Sequence, residues 1–425
     1  MNKFDLIIVG GGAAGMMASI SFKRKYKNRS VALIDRTFAL GRKILVCGAG
    51  RCNITNINLS EDTTKYYYGA PKFFIQSIFD QFGFEDIKNF FIDLGIPLYV
   101  ERKTDIGKMF PITDQAKSVT ALLEDEIQRL GVEIFLNTEV IRIKKESNLF
   151  ILDTKNIGQN NKNCEIKFGS EFLILSAGGK TYPALGSNGS GYNLAMSLGH
   201  RLIKPVPSAV PLESKNTLSQ QLQGLKFEMT VTSIIEDKKV KTRTDDVMFT
   251  QYGFSGPAIL NISREISIHI NRKGGKDVKV MLNFLPNYTF NEALKLLETR
   301  WNKRPEQTLE KSLYGLFPNK FSEVFLKCID FKPYISVNKL SENDKITLAK
   351  YLTEFIVSIT GTRGWNEAEF TAGGIDTSEL KPFTLESKIV DKLYFCGEIL
   401  DVDGDVGGFN LSWAWASGFV AGLLN

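Results

Sequence analysis

A glycine fingerprint directly after the first apolar run constrains the fold more than any other feature of the chain. Residues 4–9 have the pattern of a buried strand, and a helical pattern over residues 16–26 follows the fingerprint. Gly10 permits a tight turn, Gly12 lets the backbone approach a pyrophosphate, and Gly15 allows close helix packing. The start of the helix adds free N–H groups and a positive dipole end. The sequence therefore predicts an α/β, Rossmann-type dinucleotide-binding domain.

An acidic residue follows the next predicted strand. Residues 30–34 are apolar enough for a strand, and Asp35 comes twenty residues after Gly15. At this position a carboxylate accepts hydrogen bonds from both ribose hydroxyls of the adenosine and repels a 2′-phosphate. FAD and NAD fit this prediction, whereas NADP fits it poorly.

Two further segments favour FAD. The loop of residues 41–53 is rich in glycine and cations, which suits a path beside the pyrophosphate towards the flavin. Residues 133–140 have the pattern of a strand, and we expect the backbone of Val140 to contact the adenine edge.

The C-terminal region predicts the flavin end of the site. A strand at residues 392–396 leads into Gly397 and a carboxylate that could bind a ribityl hydroxyl, namely Glu398 or one of Asp401 and Asp403. A helix from Asn410 would direct N–H groups at the flavin N1–C2=O edge, where negative charge collects on reduction. The first and last parts of the chain should therefore form one domain.

Several motifs together resemble a known family. They are Gly41-Arg42-Lys43-Ile44-Leu45, Gly50-Arg51-Cys52-Asn53-Ile54-Thr55-Asn56, Phe254-Ser255-Gly256-Pro257, Thr371-Ala372-Gly373-Gly374-Ile375-Asp376-Thr377 and Gly397-Glu398-Ile399-Leu400-Asp401-Val402-Asp403-Gly404. They resemble the three-domain bacterial flavoproteins of the HI0933-like family, also labelled aminoacetone oxidase family FAD-binding enzymes. The resemblance implies a Rossmann-type FAD domain interrupted by a β-barrel-like domain and a small helical domain, with the isoalloxazine facing the cleft between them.

The predicted FAD-binding residues come from the family resemblance and from the fingerprint with the predicted loops. The resemblance implies that the following lie near FAD: Gly12, Ala14, Asp35, Arg42, Lys43, Arg51, Cys52, Asn53, Val140, Glu398 and Asn410. The fingerprint and the predicted loops add a second set: Gly10, Ala13, Gly15, Arg36, Ala177, Gly178, Gly397, Asp403, Gly408 and Leu411. No metal site is predicted.

The predicted domains follow from a change of periodicity in the middle of the chain. The FAD domain is predicted at residues 1–192 and 357–425, the barrel-like domain at 193–286 and the helical domain at 287–356. Strand patterns lie at residues 227–235, 247–250, 266–271 and 278–285. Helical patterns lie at residues 290–302, 309–317, 321–329 and 344–356, the last preceded by a capping-box pattern at Ser341 and Asp344.

Composition limits the environment and the partners. The chain has no leader pattern and no apolar run long enough to span a bilayer, so we expect a cytoplasmic protein without a membrane partner. Its five cysteines form no CxxC pair, which argues against a disulfide framework or a zinc site. The net charge of +6 and short basic clusters leave a polyanionic partner open. A small molecule or ribosomal RNA is the expected substrate, and the oligomeric state stays open.

The predicted function is FAD-dependent oxidation and reduction, with hydride transfer through flavin N5. No second fingerprint follows a strand, since the glycine-rich residues 186–191 follow a loop, so NAD(P)H would dock transiently as reductant. The resemblance keeps two substrate classes open: a uridine base of ribosomal RNA, reduced in the manner of a dihydrouridine synthase, and small amines oxidised by an aminoacetone-type oxidase. The candidates for proton transfer are Cys52, Tyr182, Lys180, Glu398 and Asp403.

Two rival functions belong to other classes. A disulfide reductase could use Cys47 and Cys52, but neither His200 nor His269 lies in the C-terminal region that supplies the acid–base partner in such enzymes. A flavin- or RNA-binding module without turnover would fit the basic clusters, but nothing resembles an RNP motif or a KH loop.

Overall fold

The structure is a computed structural model that describes residues 1–101, 107–157 and 165–425. It divides into two compact units. Unit 1 comprises Met1–Val206 with Glu369–Asn425, and unit 2 comprises Pro207–Ala368. Of the five cysteines considered above, Cys164 lies outside the described residues. Unit 1 is therefore built from both ends of the chain.

The first segment of unit 1 contains both strands and helices. In chain order they are β1 (Asn2–Val9), α1 (Ala13–Lys25), β2 (Val31–Ile34), β3 (Thr55–Asn56), β4 (Tyr67–Tyr68), α2 (Lys72–Phe79), α3 (Phe84–Asp93), β5 (Leu98–Val100), β6 (Lys108–Pro111), α4 (Ala116–Arg129), β7 (Glu133–Phe135), β8 (Thr138–Glu146), β9 (Leu149–Asn156), β10 (Glu165–Leu175), α5 (Ser190–Ser197) and β11 (Leu202–Ser208). The strand and the helix predicted on either side of the fingerprint are confirmed as β1 and α1.

Unit 2 combines long antiparallel strands with a run of helices. In chain order it contains β12 (Leu212–Glu213), α6 (Thr217–Gln221), β13 (Lys226–Ile235), β14 (Lys238–Thr250), β15 (Gly253–Ser255), α7 (Pro257–Ser267), β16 (Val278–Asn283), α8 (Phe290–Lys303), α9 (Leu309–Ser312), α10 (Asn319–Cys328), α11 (Glu342–Thr353), β17 (Phe355–Ile359) and β18 (Gly361–Thr362). The chain then returns to unit 1 with β19 (Phe370–Ile375), β20 (Leu393–Phe395), β21 (Asp403–Gly404) and α12 (Phe409–Leu423).

The main sheet of unit 1 is mostly parallel. Its strand order is β7-β2-β1-β10-β9-β8, and β20 also pairs with β10. The pairs among β7, β2, β1, β10 and β20 are parallel, whereas β9 pairs antiparallel with β10 and β8. Parallel strands are buried on both faces, which explains why residues 6–9 of β1 and all of β2 are continuous apolar runs. Their carboxyl ends form the edge where an α/β sheet binds its ligand.

Small residues bring α12 close to α1. A Cβ built on Gly418 would lie 2.4 Å from the Ala14 carbonyl oxygen, and one on Gly422 would lie 2.4 Å from that of Ala18. The Ser21 hydroxyl also donates a hydrogen bond of 2.8 Å to the Phe419 carbonyl. The fingerprint helix and the C-terminal helix thus pack backbone against backbone.

The sheet of unit 2 differs from the predicted barrel. Its strand order is β17-β16-β13-β14-β15-β12-β18, an open path with no closing pair in the described part of the chain. The strand predicted at residues 266–271 is wrong, because these residues continue α7 and then form one π-helical segment, Ile268–Arg272. Burial of Ile259, Ile262 and Ile266 gives α7 its own apolar face. Mixed α/β architecture is established, while the barrel is not found.

Of the helices predicted for unit 2, those at residues 290–302, 321–329 and 344–356 are confirmed as α8, α10 and α11, whereas residues 309–317 form only the single turn α9. The capping box at Ser341 and Asp344 is present, with each side chain bonded to the backbone N–H of the other residue. The last predicted helix is shorter than expected, because residues 355–359 form β17. Whether the helices form a domain separate from the sheet, as predicted, stays a prediction. In the described ranges, no helix combines the length and apolar character needed to cross a membrane.

Candidate flavin site

The turn between β1 and α1 has the geometry that the fingerprint predicts. Gly10 has a φ of 109°, and a Cβ there would lie 2.5 Å from the Ser176 carbonyl oxygen. A Cβ on Gly15 would lie only 1.9 Å from the Gly10 carbonyl oxygen. A Cβ on Gly12, in contrast, would meet no atom within 4 Å. Packing therefore requires Gly10 and Gly15, whereas Gly12 opens onto free space.

The first turn of α1 offers unpaired donors beside this space. Gly12 is the N-cap residue and has no side-chain cap, so the first N–H groups of the helix, including those of Ala13 and Ala14, have no partner within the helix. Gly397, from the other end of the chain, lies beside them, since its Cβ would be 2.7 Å from that of Ala14. This combination of free N–H groups and a positive helix end suits a pyrophosphate.

Asp35 lies at the carboxyl end of β2, as predicted. One of its carboxylate oxygens accepts a 2.6 Å hydrogen bond from the Gly11 N–H, and the other accepts two 2.7 Å bonds from Thr37. These bonds fix the carboxylate beside the glycine turn. Its assignment to the ribose hydroxyls stays a prediction. Arg36 instead turns towards Glu139, with 3.4 Å between the Nε and a carboxylate oxygen.

The strand that was predicted to carry the adenine contact of Val140 has partly wrong boundaries. The strand predicted at residues 133–140 is interrupted at Leu136 and Asn137, and Asn137 has a φ of 52°. Val140 lies in the next strand, β8, where it is buried. The left-handed backbone of Asn137 turns the chain, and the Asn137 N–H bonds to the Thr37 carbonyl. Val140 stays a predicted adenine contact.

The glycine- and cation-rich loop folds into tight turns. Arg42 lies over the exposed ring of Phe38, 4.5 Å from its centroid. Arg51 lies over the ring of Phe110 at 4.0 Å and pairs with Glu101 at 2.8 Å. Both arginines that the resemblance places near FAD therefore lie over aromatic rings within unit 1.

Lys43 joins the loop to the C-terminal segment. Its ammonium group donates to a Glu398 carboxylate oxygen at 2.7 Å and to the Thr181 hydroxyl at 2.6 Å. The other oxygen of Glu398 accepts the Thr371 N–H at 2.9 Å and the Thr181 hydroxyl at 3.3 Å. The structure thus brings together Lys43 and Glu398, which the sequence placed in one site from positions 355 residues apart. Thr181 and Thr371 were missed.

The start of α12 lies against the loop of residues 51–56. Gly408, with a φ of 102°, precedes the helix, and a Cβ there would lie 2.9 Å from the side-chain oxygen of Asn53. That oxygen is buried and has no hydrogen-bond partner in the described chain. Leu411 lies in the first turn, whose N–H groups are unpaired within the helix. This end of α12 can therefore face an electron-rich group.

Asn410 has a structural role in addition to its predicted place near FAD. Its side-chain oxygen accepts the Gly404 N–H at 2.9 Å, and its amide group donates to the Gly404 and Asp405 carbonyls at 2.9 and 3.3 Å. The side chain is thus used to hold the turn between β21 and α12. Any contribution of Asn410 to cofactor binding would come from its backbone.

The loop after β10 completes the site. A Cβ on Gly10 would lie 2.8 Å from the Ala177 Cα, so Ala177 adjoins the glycine turn. Gly178 has a φ of 71°, and a Cβ there would lie 2.8 Å from the Ser187 hydroxyl. This hydroxyl and the one of Tyr192 are buried, and neither has a hydrogen-bond partner among the described residues.

These features together test whether the chain fits FAD. Open space lies at Gly12, two helix starts present unpaired N–H groups, and the polar atoms of Asn53 and Ser187 are buried without partners. Buried polar atoms are normally satisfied, so such atoms mark places where a ligand group or water belongs. The residues present therefore fit a dinucleotide that carries a flavin.

The candidates for proton transfer differ in their surroundings. Cys52 is completely buried and has a φ of 66° in the turn. Tyr182 also has a left-handed backbone, with a φ of 55°, and Lys180, two residues before it, is exposed. Asp403 is buried in β21, which pairs with Tyr68 in β4. Glu398 is committed to the hydrogen bonds described above, and the roles of all these candidates stay predictions.

The two loop cysteines are not poised as thiolates. Burial raises the pKa of the Cys47 thiol to about 11, and the negative charge of Glu369 adds to this rise. Burial also raises the pKa of the Cys52 thiol well above its ordinary value. Both cysteines are free. Since a redox dithiol works through a thiolate of lowered pKa, this environment does not favour disulfide chemistry.

Comparison with known proteins identifies relatives along the whole chain. A family model described as HI0933-like protein Rossmann domain matches residues 4–424. A 3-dehydro-bile acid delta(4,6)-reductase of Clostridium scindens is 34% identical over 422 residues, which cover 99% of this chain and 98% of that protein. A ribosomal RNA dihydrouridine synthase of Escherichia coli is also 34% identical, over 419 residues that cover 98% of this chain and 96% of that protein.

Solved structures share the fold at low sequence identity. A 3-ketosteroid delta1-dehydrogenase from Sterolibacterium denitrificans is 11% identical with a TM-score of 0.51, and the match covers 100% of this chain and 99% of that one. The quinol fumarate reductase of E. coli is 14% identical with a TM-score of 0.51, and the match covers 99% of this chain and 70% of that one. At these identities the likeness concerns the fold alone.

Proposed function

Because the chain belongs to the HI0933-like family and is an FAD-dependent oxidoreductase, we propose that it reduces a carbon–carbon double bond conjugated to a carbonyl group. One observation carries this proposal: two relatives of equal identity, 34%, have names that imply the same bond chemistry. Dihydrouridine is uridine whose 5,6 double bond, conjugated to a ring carbonyl, is reduced. A 3-dehydro steroid with 4,6 double bonds is a conjugated dienone.

The bound flavin would supply a hydride at N5 to the carbon β to the carbonyl. The chain's part is to bind, orient and stabilise. Gly12 and the start of α1 would receive the pyrophosphate, and Asp35 the ribose. The start of α12, beside Asn53, would place a positive dipole end at the flavin edge where negative charge collects.

We further propose that NAD(P)H is the electron donor and docks transiently. The one other glycine-rich stretch considered, residues 186–191, leads into α5 from a short 3₁₀ helix at Pro183–Leu185. A dinucleotide fingerprint needs a strand before the turn, which is the role of β1 at the first site. The lack of a strand before residues 186–191 supports a single docking place, which NAD(P)H and the substrate would occupy one after the other.

Two other functions considered from the sequence receive no comparable support. The raised thiol pKa values of Cys47 and Cys52 argue against a dithiol reductase.

The basic run at residues 23–27 is one of the basic clusters that left a polyanionic partner open. Some of its side chains form hydrogen bonds and ion pairs within unit 1. The Lys23 ammonium group bonds to the carbonyls of Lys27 and Arg29, and Arg24 pairs with Glu126.

A two-step anaerobic experiment tests the proposal. Purified protein reconstituted with FAD is first mixed with NADH or NADPH, and the loss of the oxidised flavin absorbance is followed. The reduced protein is then mixed with a 3-oxo-4,6-diene steroid acid, with uridine-containing ribosomal RNA, or with a saturated ketone as control. Return of the absorbance with either of the first two compounds, but not with the saturated ketone, supports the proposal. Reduction of the flavin by aminoacetone, without reoxidation by either conjugated substrate, refutes it in favour of an amine oxidase.

A further inference from the structure

The residue just before β19, Glu369, is held by the same network that holds Glu398. Its carbonyl oxygen accepts a 3.2 Å hydrogen bond from the Thr181 hydroxyl. Two residues later, the Thr371 N–H donates to a Glu398 carboxylate oxygen at 2.9 Å. The backbone of Glu369 is therefore fixed relative to Lys43 and Glu398, inside the candidate flavin site.

The carboxyl group of Glu369 is not used by this network. Among the described residues it makes neither a hydrogen bond nor an ion pair, whereas both oxygens of Glu398 are engaged. It is nevertheless close enough to Cys47 for its charge to act on the thiol, and the charges of Lys43 and Lys108 act on it in turn. The Lys108 ammonium group is likewise without a hydrogen bond or ion pair within the described ranges.

The surroundings favour the protonated form of this carboxyl group. Burial raises the pKa of Glu369, and the nearby charges of Lys108 and Lys43 oppose the rise without cancelling it. A carboxylic acid with a raised pKa keeps its proton to higher pH than usual and can act as a general acid. The two ammonium groups would then stabilise the carboxylate that remains after the proton has left.

We propose that Glu369 is the general acid that protonates the α carbon of the substrate, an inference that rests on the proposed function. NAD(P)H would provide the two electrons, and the bound flavin would supply them to the β carbon as a hydride. The π bond opens towards the carbonyl, and the α carbon takes the proton. The O–H bond of Glu369 breaks, a C–H bond forms, and the carboxylate recovers a proton from water.

The test compares two half-reactions, reduction of the flavin by NAD(P)H and its reoxidation by the conjugated substrate. It uses a Glu369→Gln variant, which keeps the side-chain shape and removes the acidic proton. Reduction of the flavin by NAD(P)H should stay within about twofold of the wild type. Reoxidation by the conjugated substrate should slow by about 10²–10⁴-fold, the usual contribution of a general acid. In the wild type this rate should fall as pH rises through the pKa of Glu369, and the variant should lack that fall.

A second readout does not depend on turnover. At a pH below the pKa of Glu369, the infrared spectrum of the wild-type protein should contain the carbonyl stretch of its protonated carboxyl group, which Glu369→Gln should lose. Glu367→Gln is the matched control, because Glu367 forms a 2.7 Å surface ion pair with Arg363. The control should keep both half-reactions and the infrared band.

Three results would overturn the assignment. They are an unchanged reoxidation rate in Glu369→Gln, an equal slowing of both half-reactions, and loss of reoxidation in Cys47→Ser instead. Failure of the wild type itself to reduce any conjugated carbonyl would refute the proposed function and the assignment with it. Reduction by the wild type and by Glu369→Gln alike would refute the assignment alone.

Discussion

Substitution of Gly12 by alanine should separate cofactor binding from folding. The φ and ψ of Gly12 are −79° and −171°, an extended conformation open to any residue, and an added Cβ meets no atom within 4 Å. The folded apoprotein should therefore accept the methyl group without strain. A Gly-to-Ala change at a compatible site stabilises a protein by about 0.4–1 kcal/mol, because the unfolded chain loses conformational freedom.

The cost should appear only when FAD binds. If the pyrophosphate must approach the backbone at Gly12, the methyl group overfills that space, and overpacking costs about 1–3 kcal/mol. At about 1.4 kcal/mol per tenfold change, this predicts an FAD dissociation constant raised roughly 5- to 150-fold. Titration of apoprotein with FAD, followed by quenching of flavin fluorescence, measures this change, and thermal unfolding of the apoprotein measures the stability.

Two other glycines provide the comparison. A Cβ on Gly364 also meets no atom within 4 Å, so Gly364→Ala should leave FAD binding unchanged and should stabilise the apoprotein slightly, as Gly12→Ala does. A Cβ on Gly15 would lie 1.9 Å from a backbone oxygen, so Gly15→Ala should destabilise the apoprotein itself. The reasoning is refuted if Gly12→Ala binds FAD as tightly as the wild type, or if its apoprotein loses stability like Gly15→Ala.

Three further predictions concern single residues. Alkylation of Cys47 by iodoacetamide should stay slow near neutral pH and accelerate only as pH approaches its thiol pKa of about 11. Burial lowers the pKa of His200 below its ordinary 6.5, so the unfolded chain binds more protons just below that pH. Unfolding free energy should therefore fall as pH drops through 6.5, a slope that His200→Asn should reduce. Ser341→Ala removes the N-cap of α11 and should cost about 0.5–2 kcal/mol, measured by urea denaturation.

Each of these predictions has its own control. A Cys47→Ser variant identifies the alkylated site, and an alkylation rate that levels off near neutral pH would restore the dithiol hypothesis. His269→Asn should keep the pH slope attributed to His200, and loss of the slope in both variants would contradict that attribution. Ser341→Thr keeps the capping hydroxyl, so its stability should lie near that of the wild type.

The sequence was most informative where local geometry admits few residues. The fingerprint predicted β1, the turn and α1 because packing at Gly10 and Gly15 tolerates no side chain. The C-terminal sequence also predicted that Glu398 would join the N-terminal site. A carboxylate after the last strand can bind a ribityl hydroxyl, and the following helix start can face the flavin. Such constraints act at single positions and are visible in one sequence.

Prediction was weaker where tertiary packing chooses between alternatives. Ile266, Ile268 and Ile270 alternate as in a strand, but packing of α7 makes this stretch helical. Neither Thr181 nor Glu369 was identified, since their importance arises from contacts with residues distant in the chain. The available signal for Glu369 was an acidic residue at the start of the largely apolar stretch that forms β19.

Strand β10 pairs with strands from both ends of the chain, β1 and β20, and this sets the order in which the protein can fold on the ribosome. Residues 173–175 of β10 pair with β20, which is translated only after the whole of unit 2. Until then this edge of β10 stays open to other strands, and α1 lacks the helix that packs against Ala14 and Ala18. Unit 2 can fold before unit 1, because domains generally fold as separate units during synthesis. Binding of FAD then comes late, and the unpaired edge of β10 is prone to aggregation until β20 has paired with it.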